Sequence, residues 1–453
     1  MPGTAAPDAG LIPLSSRQDW CWEWTRCYAP DSYSMELTET VHLRGPLDVG
    51  ALREAVAEVT SLHDALRLSL VPATALPLDD PRPLQRVAPG HLPLHVIDMT
   101  GRSPQDAVGE ITSRPFDLSG PLAVFTLLAF SPDEHVLVLA FHHLVFDGAS
   151  GKLLIRHLTE AYNRRAGNDR TPAAPAEFSY AAFIRRERDP AVLAAKEHRT
   201  AELVRVLREH GAAEPLEGDG VGEPPLAGDY VLVPMAFGPD DVVSLRRAAR
   251  TARVTPYSLL LAALTRAVGE VYDRERLVGT TIAHGRDEPS STTALGLFSA
   301  PVEIPFDLGV RDPAEFLRHV HTGVRAAAGT ADLPYGSRVA SVLGREGDDA
   351  FFRSCLAHVE FRLNGITGLV LDPPVERVPF DGLDARLHEY PRTFPQLAYA
   401  SRQAARGSAR TLFLDLRMEE GSLTGGLWYE STYHHAERVK AAADRFRQLT
   451  GCP

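Results

Sequence analysis

The chain has 453 residues, 44% of them hydrophobic and 23% charged, with a net charge of −12. That length exceeds what one hydrophobic core usually serves, so two domains are expected. The acidic balance argues against nucleic acid or an anionic membrane as a partner, because both require a basic face.

Residues 1–10 carry no positive cluster and no apolar core, so they do not read as a signal peptide. The most apolar run, Leu259 to Leu264, is too short to span a bilayer. The four cysteines (Cys21, Cys27, Cys355 and Cys452) show no C-x-x-C or zinc-ligand spacing. Reduced thiols in a cytoplasmic protein without a bound metal are expected.

Met35 to Leu43 alternates apolar and polar residues and predicts a strand. Asp48 then stands as an N-cap before the stripe Leu52, Val56, Val59, Leu62, which predicts a helix. Leu122–Phe130 and His135–Phe141 are apolar, β-prone runs around the turn-forming Ser131-Pro132-Asp133-Glu134. They predict a hairpin. A helix is expected from near Ser150, with Leu154, Leu158 and Ala161 on one face. The Pro- and Ala-rich stretch 167–176 reads as the crossing between two lobes, and 211–228 as a surface loop. Thr255-Pro256 opens a strongly apolar helix. Beyond it come a strand over Leu277–Ala283, an amphipathic helix over Pro313–Val324 and a hairpin of Leu412–Met418 with Leu423–Glu430. A last helix runs from Ala436. Strands and helices alternate throughout, so the expected fold class is α/β, with lobes over 1–175 and 176–453.

The chemistry concentrates at Phe141-His142-His143-Leu144-Val145-Phe146-Asp147-Gly148, where a buried strand runs out into a loop before a helix. Imidazole titrates near neutrality, which suits a base beside an attacking amine or hydroxyl. Adjacent side chains in extended backbone face opposite ways, so only one of His142 and His143 can enter a cleft. Asp147 could orient the imidazole directly, or pair with an arginine and fix the loop. Gly148 permits a close backbone approach or positive φ. A lone core histidine is ordinarily structural; the full H-H-x-x-x-D-G pattern is more specific. His434-His435, without a following Asp-Gly, reads as a surface pair.

This segment resembles the core motif of nonribosomal peptide synthetase condensation domains, within the chloramphenicol acetyltransferase-like superfamily. The resemblance extends along the chain. Leu14-Ser15-Ser16-Arg17-Gln18 with Trp22 is similar to the opening motif, and His63-Asp64-Ala65-Leu66-Arg67 to the HExLR segment. Phe178–Phe183, Leu295-Gly296-Leu297-Phe298, Asp332-Leu333-Pro334-Tyr335 and Trp428-Tyr429 resemble later motifs. It implies two chloramphenicol acetyltransferase-like lobes in a V-shaped pseudo-dimer, with the active site in a tunnel between them. It also implies a free-standing condensation enzyme, since no adenylation or carrier domain fits before residue 13 or after Gly451.

By resemblance, His143 is the catalytic histidine and His142 is structural. Asp147 turns away from substrate and pairs with Arg286 of His284-Gly285-Arg286, or with Arg67 as second choice. Gly148 supplies an N–H to the oxyanion. Phe298, Ser299 and Ala300 face the substrate channel. The donor is an acyl or aminoacyl thioester on the phosphopantetheine of a carrier protein. The acceptor is a small-molecule amine or alcohol, the protein itself binds no cofactor, and the setting is natural product biosynthesis.

The chain departs from the pattern on the acceptor side. Ser299-Ala300-Pro301 replaces Val-Asn-Thr, Pro305 replaces an arginine, Ser179 an aspartate, and Tyr335-Gly336 Phe-Glu. Two rival readings follow. One is a catalytically silent condensation-like domain that recruits partners. The other is an acyl-CoA-dependent acyltransferase of the same superfamily, although its Asp-Phe-Gly-Trp-Gly segment is missing here. An acidic carrier would need a basic patch, for which Arg185, Arg186 and Arg188, or Arg246, Arg247 and Arg250, are the candidates.

Overall fold

The computed structural model describes residues 10–28, 35–71, 82–112, 114–169, 171, 178–214, 216, 230–344, 358–364, 377–388, 411–419, 421–431 and 433–451. Most of the expected crossing at 167–176 and of the loop at 211–228 lies outside these residues, as do Cys355 and Cys452.

The chain begins with β1 (Leu11–Ile12), α1 (Ser16–Tyr28), β2 (Glu36–Arg44) and α2 (Val49–Leu62). Then come β3 (Leu68–Val71), β4 (Leu84–Val87), β5 (Leu94–Asp98) and α3 (Pro104–Thr112). The hairpin β6 (Ala123–Ser131) and β7 (Glu134–His142) leads through a 3₁₀ turn (His143–Val145) into α4 (Gly148–Ala166) and α5 (Tyr180–Glu187). The second half holds α6 (Pro190–Glu209), β8 (Tyr230–Phe237), α7 (Pro239–Ala252), α8 (Pro256–Tyr272), β9 (Arg276–Ala283) and β10 (Ala300–Asp307). It continues with α9 (Pro313–Ala328), α10 (Tyr335–Leu343), β11 (Val359–Asn364) and β12 (Asp384–Leu387), and ends with β13 (Leu412–Glu419), β14 (Ser422–Glu430) and α11 (Ala436–Thr450).

Two compact units form, and they do not follow the boundary expected at residue 175. The first comprises Met1–Ala194, Arg286–Phe298 and Val375–Gln396; the second comprises Ala195–Gly285, Ser299–Pro374 and Leu397–Pro453. Specific bonds tie the extra segments to the first unit. Asp64 accepts from Ser179 Oγ (2.7 Å), Tyr180 N (2.8 Å) and Ala181 N (3.0 Å), which caps α5 from outside its own segment. Residues 384–387 return to pair with β2. A reading that cuts the chain once cannot see two later returns.

The main sheet of the first unit has the order β12-β2-β7-β6-β5, antiparallel except for the β5–β6 pair. β7 is its middle strand. Asp48 caps α2 through Ala51 N (2.9 Å), as its sequence position predicts. Leu52, Val56 and Val59 of α2 and Leu154 and Leu158 of α4 join Val41, Leu137 and Leu139 in one buried cluster. Each such side chain contributes roughly 1.5–3 kcal/mol on burial. Truncating Leu154 to Ala would cost about 2–5 kcal/mol and loosen the helix that follows the histidine motif.

The second unit holds a mixed sheet of order β10-β9-β11-β13-β14-β8. Thr255 caps α8 by accepting from Ser258 N (3.1 Å), with Pro256 at the first helical position. Within this unit Arg338, 0% exposed, donates Nε to Glu303 (3.1 Å) and Nη1 to the Leu333 carbonyl (2.6 Å), tying α10 to β10. Both units mix strands and helices, as the α/β reading expects.

Candidate active site

β7 delivers the histidine motif. In the sheet register His142 lies opposite Glu36, and its N–H donates to the Leu122 carbonyl at 2.9 Å. There the chain leaves the sheet. Phe141 and Phe146 stack at 3.8 Å with planes 10° apart, so the turn folds back onto the strand end.

The two imidazoles do different work. His142 is 1% exposed, and its Nδ1 accepts from Leu144 N at 3.2 Å. An accepting Nδ1 places the proton on Nε2. Burial, with the neighbouring His143 adding to it, pushes His142 down to about 3, so the ring is neutral and holds the turn. His143 is half-buried. Its Nδ1 lies 2.8 Å from the Phe146 carbonyl oxygen. A carbonyl only accepts, so Nδ1 carries the N–H and the Nε2 of the neutral ring carries the lone pair. That is the tautomer a base at Nε2 requires. Trp20 meets this ring edge-on, with centroids 5.4 Å apart and planes at 83°.

Asp147 is 1% exposed and caps α4. Its Oδ1 accepts from Ser150 N (2.8 Å), Ser150 Oγ (2.8 Å) and Arg286 Nη2 (2.9 Å), and its Oδ2 from Phe298 N (3.0 Å). Pairing with an arginine, one of the two roles open to it, is formed. Arg286 also donates Nη1 to the carbonyls of Ser291 and Ala294 (both 2.8 Å), and lies 4.2 Å over the Phe298 ring. Arg67, the second choice for that pairing, is bonded elsewhere: Nε to Thr60 O (2.9 Å), Nη1 to Ala88 O (2.6 Å) and Nη2 to Ser61 O (3.2 Å). It closes the end of α2.

Of the two readings of Gly148, positive φ is not adopted; it is the exposed first residue of α4, and a Cβ there would meet nothing within 4 Å. Two expectations need correction. Phe298 is 0% exposed, packed among Phe178, Tyr180 and Phe183 at 5.4–5.7 Å, so it supports the Arg286 segment from the core instead of facing a channel. Ala300 is also buried, and Ser299 alone of that trio is half-exposed. His434 is buried against Tyr272, not on the surface.

Sequence reasoning missed the residues that hold the motif in place. Ser150 bonds Asp147 and Arg286 Nη2 (2.9 Å), and lies 2.8 Å from Gly296 O and 3.1 Å from Gly296 N. Its signal was the Asp-x-x-Ser spacing at a helix start. Gln18 donates Nε2 to Leu144 O (2.8 Å) and exchanges amide bonds with the buried Gln85 (2.8 and 2.9 Å). Gln18 stands among polar neighbours, Ser15-Ser16-Arg17 and Asp19, so nothing local marks it as buried. The first arginine cluster is partly committed: Arg186 pairs with Glu288 (2.6 Å), and Arg188 with Asp19 (2.8 Å). Arg247 and Arg250 on α7 are exposed. Among the described residues no group of three or more His, Cys, Asp or Glu is placed to hold a metal ion, and no helix is long and apolar enough to cross a membrane.

The non-canonical nonribosomal peptide synthetase CymA of Salinispora arenicola is 27% identical over 98% of this chain, which spans 6% of CymA. The dimodular nonribosomal peptide synthase of Bacillus subtilis is 28% identical over 97% of the chain, 18% of that protein. The chain thus spans only a small part of these curated relatives. Among solved structures, the X-domain from teicoplanin biosynthesis superposes with a TM-score of 0.69 at 20% identity, covering 99% of this chain and 96% of that one. SgcC5 of Streptomyces globisporus, solved with a naphthyl ethanediol and sucrose, gives 0.65 at 21% identity, covering 97% and 98%. A family profile described as Condensation domain matches residues 8–352. The chain belongs to the condensation-domain family, of the nonribosomal peptide synthetase type.

Proposed function

We propose that this protein transfers an acyl or aminoacyl group from a carrier protein's phosphopantetheine thioester to a small amine or alcohol. The observation that carries the reading is the bond from His143 Nδ1–H to the Phe146 carbonyl, which leaves the Nε2 lone pair as the basic site. As the acceptor attacks the thioester carbonyl, Nε2 takes its proton, and a tetrahedral oxyanion forms. Collapse breaks the C–S bond. The imidazolium then returns the proton to the leaving thiolate, so the enzyme ends unchanged and no covalent enzyme intermediate forms. A base so placed contributes about 10²–10⁴-fold.

The other residues have supporting roles in this reading. Asp147 and Arg286 hold the loop, His142 fixes the turn, and the N–H of Gly148 at the start of α4 faces the oxyanion. Ser299 stands on the acceptor side. The alcohol bound to SgcC5 is a small molecule, which agrees with a small soluble acceptor here.

The test offers aminoacyl- and acyl-S-carrier donors with panels of small amines and alcohols. Formation of an amide or ester that depends on His143 is expected. Carrier binding without any transfer would replace this reading with a recruitment domain, and transfer from acyl-CoA alone with a coenzyme A-dependent acyltransferase.

A further inference from the structure

Trp20 is in ring contact with His143, yet proton transfer gives it no part. Its indole is half-buried and packs on one side against the core of the first unit. The indole stands edge-on to the half-buried imidazole of His143, with centroids 5.4 Å apart.

The two rings are held in fixed relation. Gln18, two positions before Trp20, donates Nε2 to the carbonyl of Leu144, the residue after His143, at 2.8 Å. Gln18 is itself held by Ser15 N (2.8 Å) and Gln85. Asp19 accepts from Arg188 Nη2 with both carboxylate oxygens, at 2.8 and 3.0 Å. The start of α1 and the 3₁₀ turn of His143 therefore behave as one piece.

We infer that Trp20 is a specificity residue that selects an acceptor bearing a planar aromatic ring one or two carbons from its amine or hydroxyl. The nucleophilic atom must come within about 3 Å of the base. Aromatic rings associate at centroid spacings of about 4.5–7 Å, offset or edge-to-face. A one- or two-carbon spacer lets one small molecule meet both conditions, with His143 at its nucleophile and Trp20 at its ring. The identity of this ligand as the acceptor rests on the acyl-transfer reading; the aryl subsite itself does not.

The test compares phenylethylamine with cyclohexylethylamine, which share length and charge and differ in aromaticity. Calorimetric affinities are measured for wild type, Trp20→Phe and Trp20→Leu, and acylation rates are then measured with carrier-bound thioesters. Wild type should favour the phenyl compound. Trp20→Leu should weaken the phenyl compound by about three- to tenfold and change the cyclohexyl compound little, while Trp20→Phe keeps most of the preference. A purely structural role would weaken both amines alike, and that result, or failure of wild type to bind either, overturns the inference. Phenyl preference that tracks Trp20 without acylation by any thioester keeps the subsite and removes the acyl-transfer reading. Acylation with the same phenyl-to-cyclohexyl ratio in wild type and Trp20→Leu does the reverse.

Discussion

Arg286 Nη2 donates to Asp147 Oδ1 at 2.9 Å across 139 positions of sequence, with the two side chains 9% and 2% exposed. The pair fixes the residue four after His143 and docks the segment carrying Gly296 and Phe298. Removing one partner leaves the other charge buried. Asp147→Ala or Arg286→Ala should each cost about 3–5 kcal/mol. The double variant should cost clearly less than the sum of the two. Urea unfolding of the three proteins checks this; additive losses would mean that the pair is not energetically coupled.

Two glycines near the motif should respond oppositely to alanine. A Cβ on Gly148 meets nothing within 4 Å, so Gly148→Ala should keep or slightly raise stability, by up to about 1 kcal/mol. Any fall in transfer rate would then report the approach of substrate to that backbone. Gly296 has φ +153° and its Cβ would lie 2.6 Å from the Tyr180 ring. Gly296→Ala should destabilise by about 1–3 kcal/mol or more. Melting temperatures of the two variants give the comparison, and equal shifts would contradict it.

Acid should destabilise the fold through buried histidines. Burial lowers His142 to about 3 and His358 to about 4, and also lowers His63 to about 4 with help from His157. A lowered folded pKa means that the unfolded chain takes up protons first as pH falls below about 6.5. The stabilisation is complete above that pH and is lost on acidification towards about 3. For His142 the slope is about 1.4 kcal/mol per pH unit in that window. His142→Asn offers Oδ1 to Leu144 N in place of Nδ1 but does not titrate. Its stability should fall less steeply between about pH 6 and 4.5, and an unchanged slope would show that His142 is not the titrating group.

Local structure was legible where local chemistry decides it. Ser131-Pro132-Asp133-Glu134 announces the β6–β7 hairpin, Asp48 the start of α2, and Thr255-Pro256 the start of α8. Long-range pairing was not. Nothing in Asp384–Leu387 indicates that it joins β2, since four residues alternate too briefly to carry a period. Asp147 with Arg286 was found through family resemblance, not spacing. Resemblance also misplaced Phe298, because a motif position marks a place in the chain and not whether the side chain faces a cavity or the core. Arg186 and Arg188 read as part of a docking patch because their partners, Glu288 and Asp19, lie far off in sequence.

The central claim is that His143 Nε2 is the base. His143→Asn tests it most directly. Asn Nδ2 can still donate to the Phe146 carbonyl, so the turn should stand, while the basic nitrogen is gone. Single-turnover acyl transfer from a carrier-bound thioester should fall by about 10²–10⁴-fold, with carrier affinity and melting temperature close to wild type. A transfer rate equal to wild type in the folded variant would contradict the account.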